Sequence, residues 1–214
     1  MTAHADRPIV LVASHLTFGY DNLPLFDGLS AAIPRGVTLV RGGDGRGKST
    51  LLHLLAGQLP AKAGSLQLHG IGLAEDARAY RSQTFHIDPR TEAYDQLTPP
   101  EFFTTMAERH PHFDAARLPA LIDGLSLTPH LEKKLFMLST GSKRKVYLAA
   151  AFAAGAALTL LDDPFAGLDM ASMRFVTATL NDLATQDDAP RAWVVALYEA
   201  MPGLRLDSTI DLGD

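Results

Sequence analysis

The run Gly42-Gly43-Asp44-Gly45-Arg46-Gly47-Lys48-Ser49-Thr50 constrains this chain more than any other stretch. It satisfies the pattern G-x-x-x-x-G-K-[ST], with Gly42, Gly47, Lys48 and Ser49 at the fixed positions. A polyphosphate needs a concave ring of backbone N–H donors, and glycines let the chain curl that tightly without a Cβ clash. In such a loop Lys48 reaches the β- and γ-phosphates and the Ser49 hydroxyl ligates Mg²⁺. The flanks agree. Val37-Thr38-Leu39-Val40 is a β-branched apolar run that reads as a buried strand, and Ser49 to Leu59 reads as a helix. That helix would aim its positive end at the phosphates. An ordinary glycine-rich turn is the competing reading; the agreement of pattern and flanks favours a loop that binds a nucleoside triphosphate.

With 214 residues, 47% of them hydrophobic, the chain is long enough to bury a core without covalent staples. It has no cysteine, which excludes disulfides and thiolate metal sites. A net charge of −5 and the lack of a polybasic tail give no footprint for nucleic acid. Met1 to Pro8 is polar and carries no secretory core. The apolar stretch Val146 to Leu161 falls short of a bilayer span and is split at Gly155 into an alanine-rich helix and a strand, Ala157 to Leu161. It reads as core, so a soluble chain is expected, with any membrane link made through a partner.

Strands are expected at Ile9–Leu16, Leu29–Ile33, Gly64–His69, Thr84–Ile87 and Ala192–Leu197, with turns at Gly19–Asn22 and Pro34–Gly36. Thr98-Pro99-Pro100-Glu101 is a helix start, with Thr98 as cap and Glu101 three residues on. It opens a helical segment, about residues 98–145, broken by Pro111, Pro119 and Pro129 and inserted in an α/β chain that forms one domain over 1–214. A helix at Met170–Ala184 precedes the last strand, a loop lies at Asp187-Asp188-Ala189-Pro190, and a short tail follows to Asp214. Strands alternating with helices argue for a mostly parallel sheet with helices on both faces.

Leu158-Thr159-Leu160-Leu161-Asp162-Asp163 is an apolar strand ending in two acids. Alone it would read as a solvated acidic turn; with the phosphate loop upstream, Asp162 reads as the second Mg²⁺ carboxylate and Asp163 as its neighbour in the same pocket. Leu138-Ser139-Thr140-Gly141-Ser142 precedes the alanine-rich helix. It could be a second anion-binding nest with Lys143 and Arg144 nearby, or an N-cap by Ser139 or Ser142; local physics does not separate the two. The histidines are scattered without ligand spacing, and zinc is not expected even at His110-x-His112.

In this order the pieces resemble the ATP-binding cassette family, the nucleotide-binding subunits of ABC transporters. The resemblance rests on the phosphate loop, a degenerate signature Leu138–Ser142, the Walker B strand Leu158–Asp162, the D-loop Gly167-Leu168-Asp169 and Phe18-Gly19-Tyr20. It runs from Leu11 to Gly213, with Leu97–Glu101 like the opening of the family's helical subdomain, and its layout is most like small bacterial single-cassette subunits, such as those of haem-exporter type. It implies a P-loop NTPase fold with a small N-terminal antiparallel β portion and an inserted helical subdomain. It also implies that Tyr20 stacks on adenine, and that two cassettes close face to face as a homodimer or heterodimer around ATP and Mg²⁺. Ser139 and Gly141 would then contact ATP held across the interface, where Asp169 also lies. A membrane-embedded permease at the inner face of the cell membrane would be driven by closure.

Departures from the family pattern fall on catalytic positions. Asp163 stands where the family has a glutamate base, a side chain shorter by one C–C bond, roughly 1.5 Å. Asp88-Pro89-Arg90 stands where the Q-loop glutamine belongs, and Tyr198 where the switch histidine belongs. A phenol is neutral at pH 7 and offers no cationic stabilisation. Thr140 and Ser142 replace glycine and glutamine of the signature. Glu199 resembles the acid after the switch position, or it serves only the surface. Arg46 either contacts the phosphates or lies on the outer face of the loop. The expectation is an ABC-type ATPase, possible slow turnover included; the alternative is an ATP-gated clamp that binds nucleotide and a partner with little hydrolysis.

Overall fold

The computed structural model describes residues 7–21, 23–185 and 190–213. The polar start at 1–6, Asn22 of the first turn and residues 187–189 of the acidic loop lie outside the described residues. Along the chain come β1 (Ile9–Tyr20), β2 (Leu23–Pro34), β3 (Gly36–Arg41), α1 (Lys48–Leu55), β4 (Ala63–Leu68), β5 (Ile71–Gly72), α2 (Ala77–Ser82) and β6 (Thr84–His86). There follow α3 (Pro99–Arg109), α4 (Leu118–Gly124), α5 (Thr140–Ala153), β7 (Leu158–Asp162), α6 (Met170–Thr185), β8 (Ala192–Leu197) and β9 (Ser208–Asp211). The strands make two sheets, an antiparallel one in the order β2-β1-β4-β5 and a parallel one in the order β6-β7-β8-β3-β9.

The parallel sheet is buried on both faces, which is why β3 and β8 read as continuous apolar runs rather than alternating ones. Alternate residues along β8 feed two cores. Trp193, Val195 and Leu197 pack with α3, α5 and α6, whereas Ala192, Val194 and Ala196 pack with α1 and the antiparallel sheet. The α/β fold with a parallel sheet is therefore as expected, one face being covered by α1 together with the antiparallel sheet. The stretch Val146 to Ala154 is buried throughout, as core. Among the described residues no helix is long and apolar enough to cross a membrane.

Local signals behave unevenly. At α3, Glu101 Oε2 accepts hydrogen bonds from Thr98 N at 2.8 Å and from Thr98 Oγ1 at 2.9 Å, which satisfies an orphan donor of the helix start. Pro119 opens α4 rather than breaking a helix, because a helix's first turn needs no N–H donor from it. The first hairpin is longer than expected, and α1 ends at Leu55, earlier than expected. The tail forms β9, pairing in parallel with β3 from Thr38↔Ser208 to Arg41↔Asp211. Beyond it the Gly213 carbonyl accepts from Gly43 N at 2.9 Å, so this edge strand braces the start of the glycine-rich loop.

His86, at the end of β6, is half-buried, with its Nδ1 2.8 Å from Gln58 Oε1 and its ring against His53. Burial first, and the neighbouring His53 second, lower its pKa to about 4. The unfolded chain then takes up the proton first, and stability is lost as pH falls from about 6.5 towards 4. By pH 5 this one group should remove about 2 kcal/mol. Urea unfolding at pH 7 and pH 5 checks this: His86→Gln should show a smaller pH-dependent loss than the parent, and equal losses would refute it.

Candidate functional site

The loop between β3 and α1 takes its shape from Gly47. This residue is left-handed, with φ 88° and ψ 19°, and caps α1. A Cβ there would lie 2.6 Å from the Leu25 side chain and 2.9 Å from the Phe26 ring, so strain and space both demand glycine. Lys48 Nζ folds back over the loop and donates to the carbonyls of Gly42 at 2.7 Å and Gly43 at 2.8 Å. Gly42 and Gly43 are buried, while Asp44, Gly45 and Arg46 are exposed.

A cavity of about 680 Å³ opens over this loop. Asp44, Gly45 and Gly47 to Thr50 form its floor. The first hairpin contributes Tyr20 and Leu23 to Leu25, the end of β7 contributes Asp162, and Asp163 follows directly after it. Tyr20 is 53% exposed, edge-on to Phe18, with its hydroxyl 3.3 Å from Thr50 Oγ1. With exposed Leu23 it gives the cavity an apolar, aromatic side fit for a planar base. Arg46 is outside this lining.

Ser49 and Asp162 line the same cavity and offer one hydroxyl and one carboxylate, hard oxygen donors that suit Mg²⁺. Among the described residues no three His, Cys, Asp or Glu side chains converge as a metal cage. The donor set fits an ion that keeps waters and shares phosphate oxygens.

Asp163 has a left-handed backbone, φ 44°, and its N–H donates to the Ala196 carbonyl at 3.1 Å. Partial burial of its carboxyl raises its pKa, as does Asp162 beside it, while Arg144 and Lys48 oppose the rise. Asp88 does not line the cavity. Its carboxylate accepts from Arg90 N at 2.8 Å and Arg90 Nε at 3.2 Å, and lies 3.7 Å from His53 Nε2. Burial works against ionisation there, yet the hydrogen bonds and charge of Arg90 hold the carboxyl below its ordinary value. Tyr198, just past β8, is 61% exposed and stands outside the cavity.

Ser139 and Gly141 lie at the start of α5, also outside the cavity. Ser139 caps the helix, its Oγ accepting from Ser142 N at 3.1 Å. Gly141 is buried against Gly167, and a Cβ on it would stand 2.2 Å from the Gly167 carbonyl oxygen. Asp169 joins the same seam: Lys145 Nζ donates to its Oδ2 at 2.6 Å and Ser172 N to its Oδ1 at 2.8 Å. The Lys145 hydrogen bond, followed by those from Ser172, holds this carboxyl far below the usual range.

Two charged cavity residues escape a reading of the sequence as site residues, Arg90 and Arg144. Arg144 belongs to a run of three cations on α5, each sent by the helix twist to a different partner. Lys143 meets Asp95 and the Thr91 carbonyl, Lys145 meets Asp169, and Arg144 Nη1 donates to the Ala166 carbonyl. Arg144 thus faces the phosphate-loop cavity rather than the nest at its own helix start.

Comparison with known proteins agrees with this geometry. The family described as ABC transporter matches residues 26–166. The ABC-type transporter ATP-binding protein EcsA of Bacillus subtilis is 30% identical over 177 residues, covering 81% of this chain and 72% of that protein. The cytochrome c biogenesis ATP-binding export protein CcmA of Paramagnetospirillum magneticum is 35% identical over 190 residues, covering 84% of each. A solved structure described as an ATP binding subunit of an ABC transporter superposes with a TM-score of 0.79 at 24% identity, over 88% of this chain and 79% of that one, a likeness of fold. With the phosphate loop, the paired acids where β7 ends and the aromatic hairpin around one cavity, the chain belongs to the ABC transporter family, among its ATP-binding subunits.

Proposed function

We propose that this subunit binds Mg²⁺-ATP in the cavity over Gly42–Thr50, hydrolyses it slowly, and drives a separate membrane permease from the cytoplasmic face as one of a pair of cassettes. The convergence of Tyr20, Lys48, Ser49 and Asp162 on one cavity is the observation that carries this reading. Tyr20 stacks on the base, and Lys48 exchanges its loop carbonyls for the phosphates. Bound Mg²⁺, held by Ser49 and Asp162, supplies charge neutralisation. Asp163 orients the attacking water, and Ser139 and Gly141 of a second copy, or of a related cassette, complete the site.

Slow turnover follows from the short reach of Asp163 and from Tyr198, which adds no cation. Lys48, Arg144 and the loop amides still provide electrostatic stabilisation, so turnover is low rather than nil. Steady-state ATPase measurements test this. Asp163→Glu should raise kcat on the order of tenfold and Asp163→Asn should abolish turnover. Brisk hydrolysis by the parent, or no gain from the glutamate, would overturn the slow-turnover reading; no hydrolysis in any variant would favour the ATP-gated clamp.

A further inference from the structure

The segment after β6 carries a charged arm into the nucleotide cavity. Asp88 is the anchor: its Oδ1 accepts from Arg90 N at 2.8 Å and Nε at 3.2 Å, and its Oδ2 accepts from Nη2 at 3.4 Å. Attachment along one edge of a guanidinium fixes the plane of the fork and leaves the other edge to point outward. Nη1 has no hydrogen-bond partner among the described residues, and the Arg90 side chain is 74% exposed. Pro89 and Arg90 form part of the wall facing Lys48, Ser49 and Asp162. Asp88 in turn lies 3.7 Å from His53, in the last turn of α1, whose first turn begins at Lys48. The Asp88 carboxylate therefore sits between the arm and the phosphate-loop helix.

The three cations of the cavity differ in freedom. Lys48 is bonded to loop carbonyls and Arg144 to the Ala166 carbonyl, whereas Arg90, which lines the same cavity, keeps a guanidinium nitrogen with no hydrogen-bond partner among the described residues. We propose that Arg90 is a ligand of the nucleotide's terminal phosphate, through which this chain tells a triphosphate from a diphosphate. The inference rests on the ATP reading of the cavity and adds to it a charged, forked contact. A guanidinium fork matches phosphate oxygens bidentately and keeps its charge at every physiological pH. Asp88 is a positioning residue in this scheme, acting through Arg90.

Binding of the β,γ-imido analogue of ATP and of ADP, measured by calorimetry at one fixed salt concentration, tests the assignment. Arg90→Ala should weaken the analogue about tenfold while ADP changes by less than about twofold, since the diphosphate lacks the group contacted. Arg90→Lys should recover part of the loss, and Asp88→Asn, which frees the arm, should fall between parent and Arg90→Ala. Thermal unfolding of each variant shows whether the fold is kept. Equal losses for both nucleotides, or none, would overturn the role of Arg90 while leaving the cavity as the ATP site. A parent chain that binds neither nucleotide would remove the ATP reading and this contact together.

Discussion

Lys48→Ala is expected to lower ATP affinity about ten- to a hundredfold. The magnitude follows from removing a charge-assisted contact to the β- and γ-phosphates, a class of interaction worth roughly 1.5–3 kcal/mol, from a site where no other side chain reaches the same oxygens from the loop. Lys48 also ties the loop together through the Gly42 and Gly43 carbonyls. The substitution therefore removes two internal bonds as well as the phosphate ligand. The two effects separate experimentally: loss of loop bonds lowers thermal stability without nucleotide, while loss of the phosphate ligand abolishes the rise in stability that ATP gives the parent. Unchanged ATP affinity in Lys48→Ala would show that the loop is not the nucleotide site.

What the sequence made legible is what is local. The loop Gly42–Thr50, the strand ending at Asp162 and Asp163, the box at Thr98 and Glu101, and β8 are each specified by neighbours in the chain, through turn conformation, apolar runs or capping. Less local features were missed. The sequence Ser208-Thr209-Ile210-Asp211 is too short and polar to announce a strand, and it becomes one because β3 offers it an open edge. Helix α2 is one and a half turns held by its Asp76 cap, below the length at which periodicity speaks. Arg90 and Arg144 reach the cavity through tertiary packing of elements far from the loop, and the charge run around Arg144 suggested a nest at its own helix start instead. The aromatic side of the site was half visible: Tyr20 follows a recognisable Phe18-Gly19, but Leu23 and Leu25 lie in a hairpin whose length the sequence understated. Capping and apolar periodicity are encoded within a turn or two of chain, whereas a cavity wall is assembled from segments that only the sheet order brings together.

Gly141→Ala should destabilise the fold by about 3 kcal/mol, near the upper end for an overpacked core position. The glycine is helical, so the reason is space rather than backbone conformation. A methyl group at residue 141 would stand 2.2 Å from the Gly167 carbonyl oxygen, with the Gly167 carbonyl carbon at 3.1 Å. Both obstacles are backbone atoms, and no rotamer change relieves them. The first turn of α5 and the loop from Asp163 to Asp169 must therefore separate. That seam also carries the Ser139 cap and the bonds from Lys145 and Ser172 to Asp169. A displacement that moves Ser139 against Asp169 alters the surface on which a second cassette would close, so ATP-dependent pairing should weaken along with stability. Thr140→Ala provides the control: its side chain is exposed one position away on the same turn, and its effect should stay within about 0.5 kcal/mol. Urea unfolding measures the first quantity, and light scattering with and without ATP measures the second. Parent-like stability of Gly141→Ala would mean that the two backbones are not in contact at this seam, and the close approach of signature helix and D-loop would lose its structural basis.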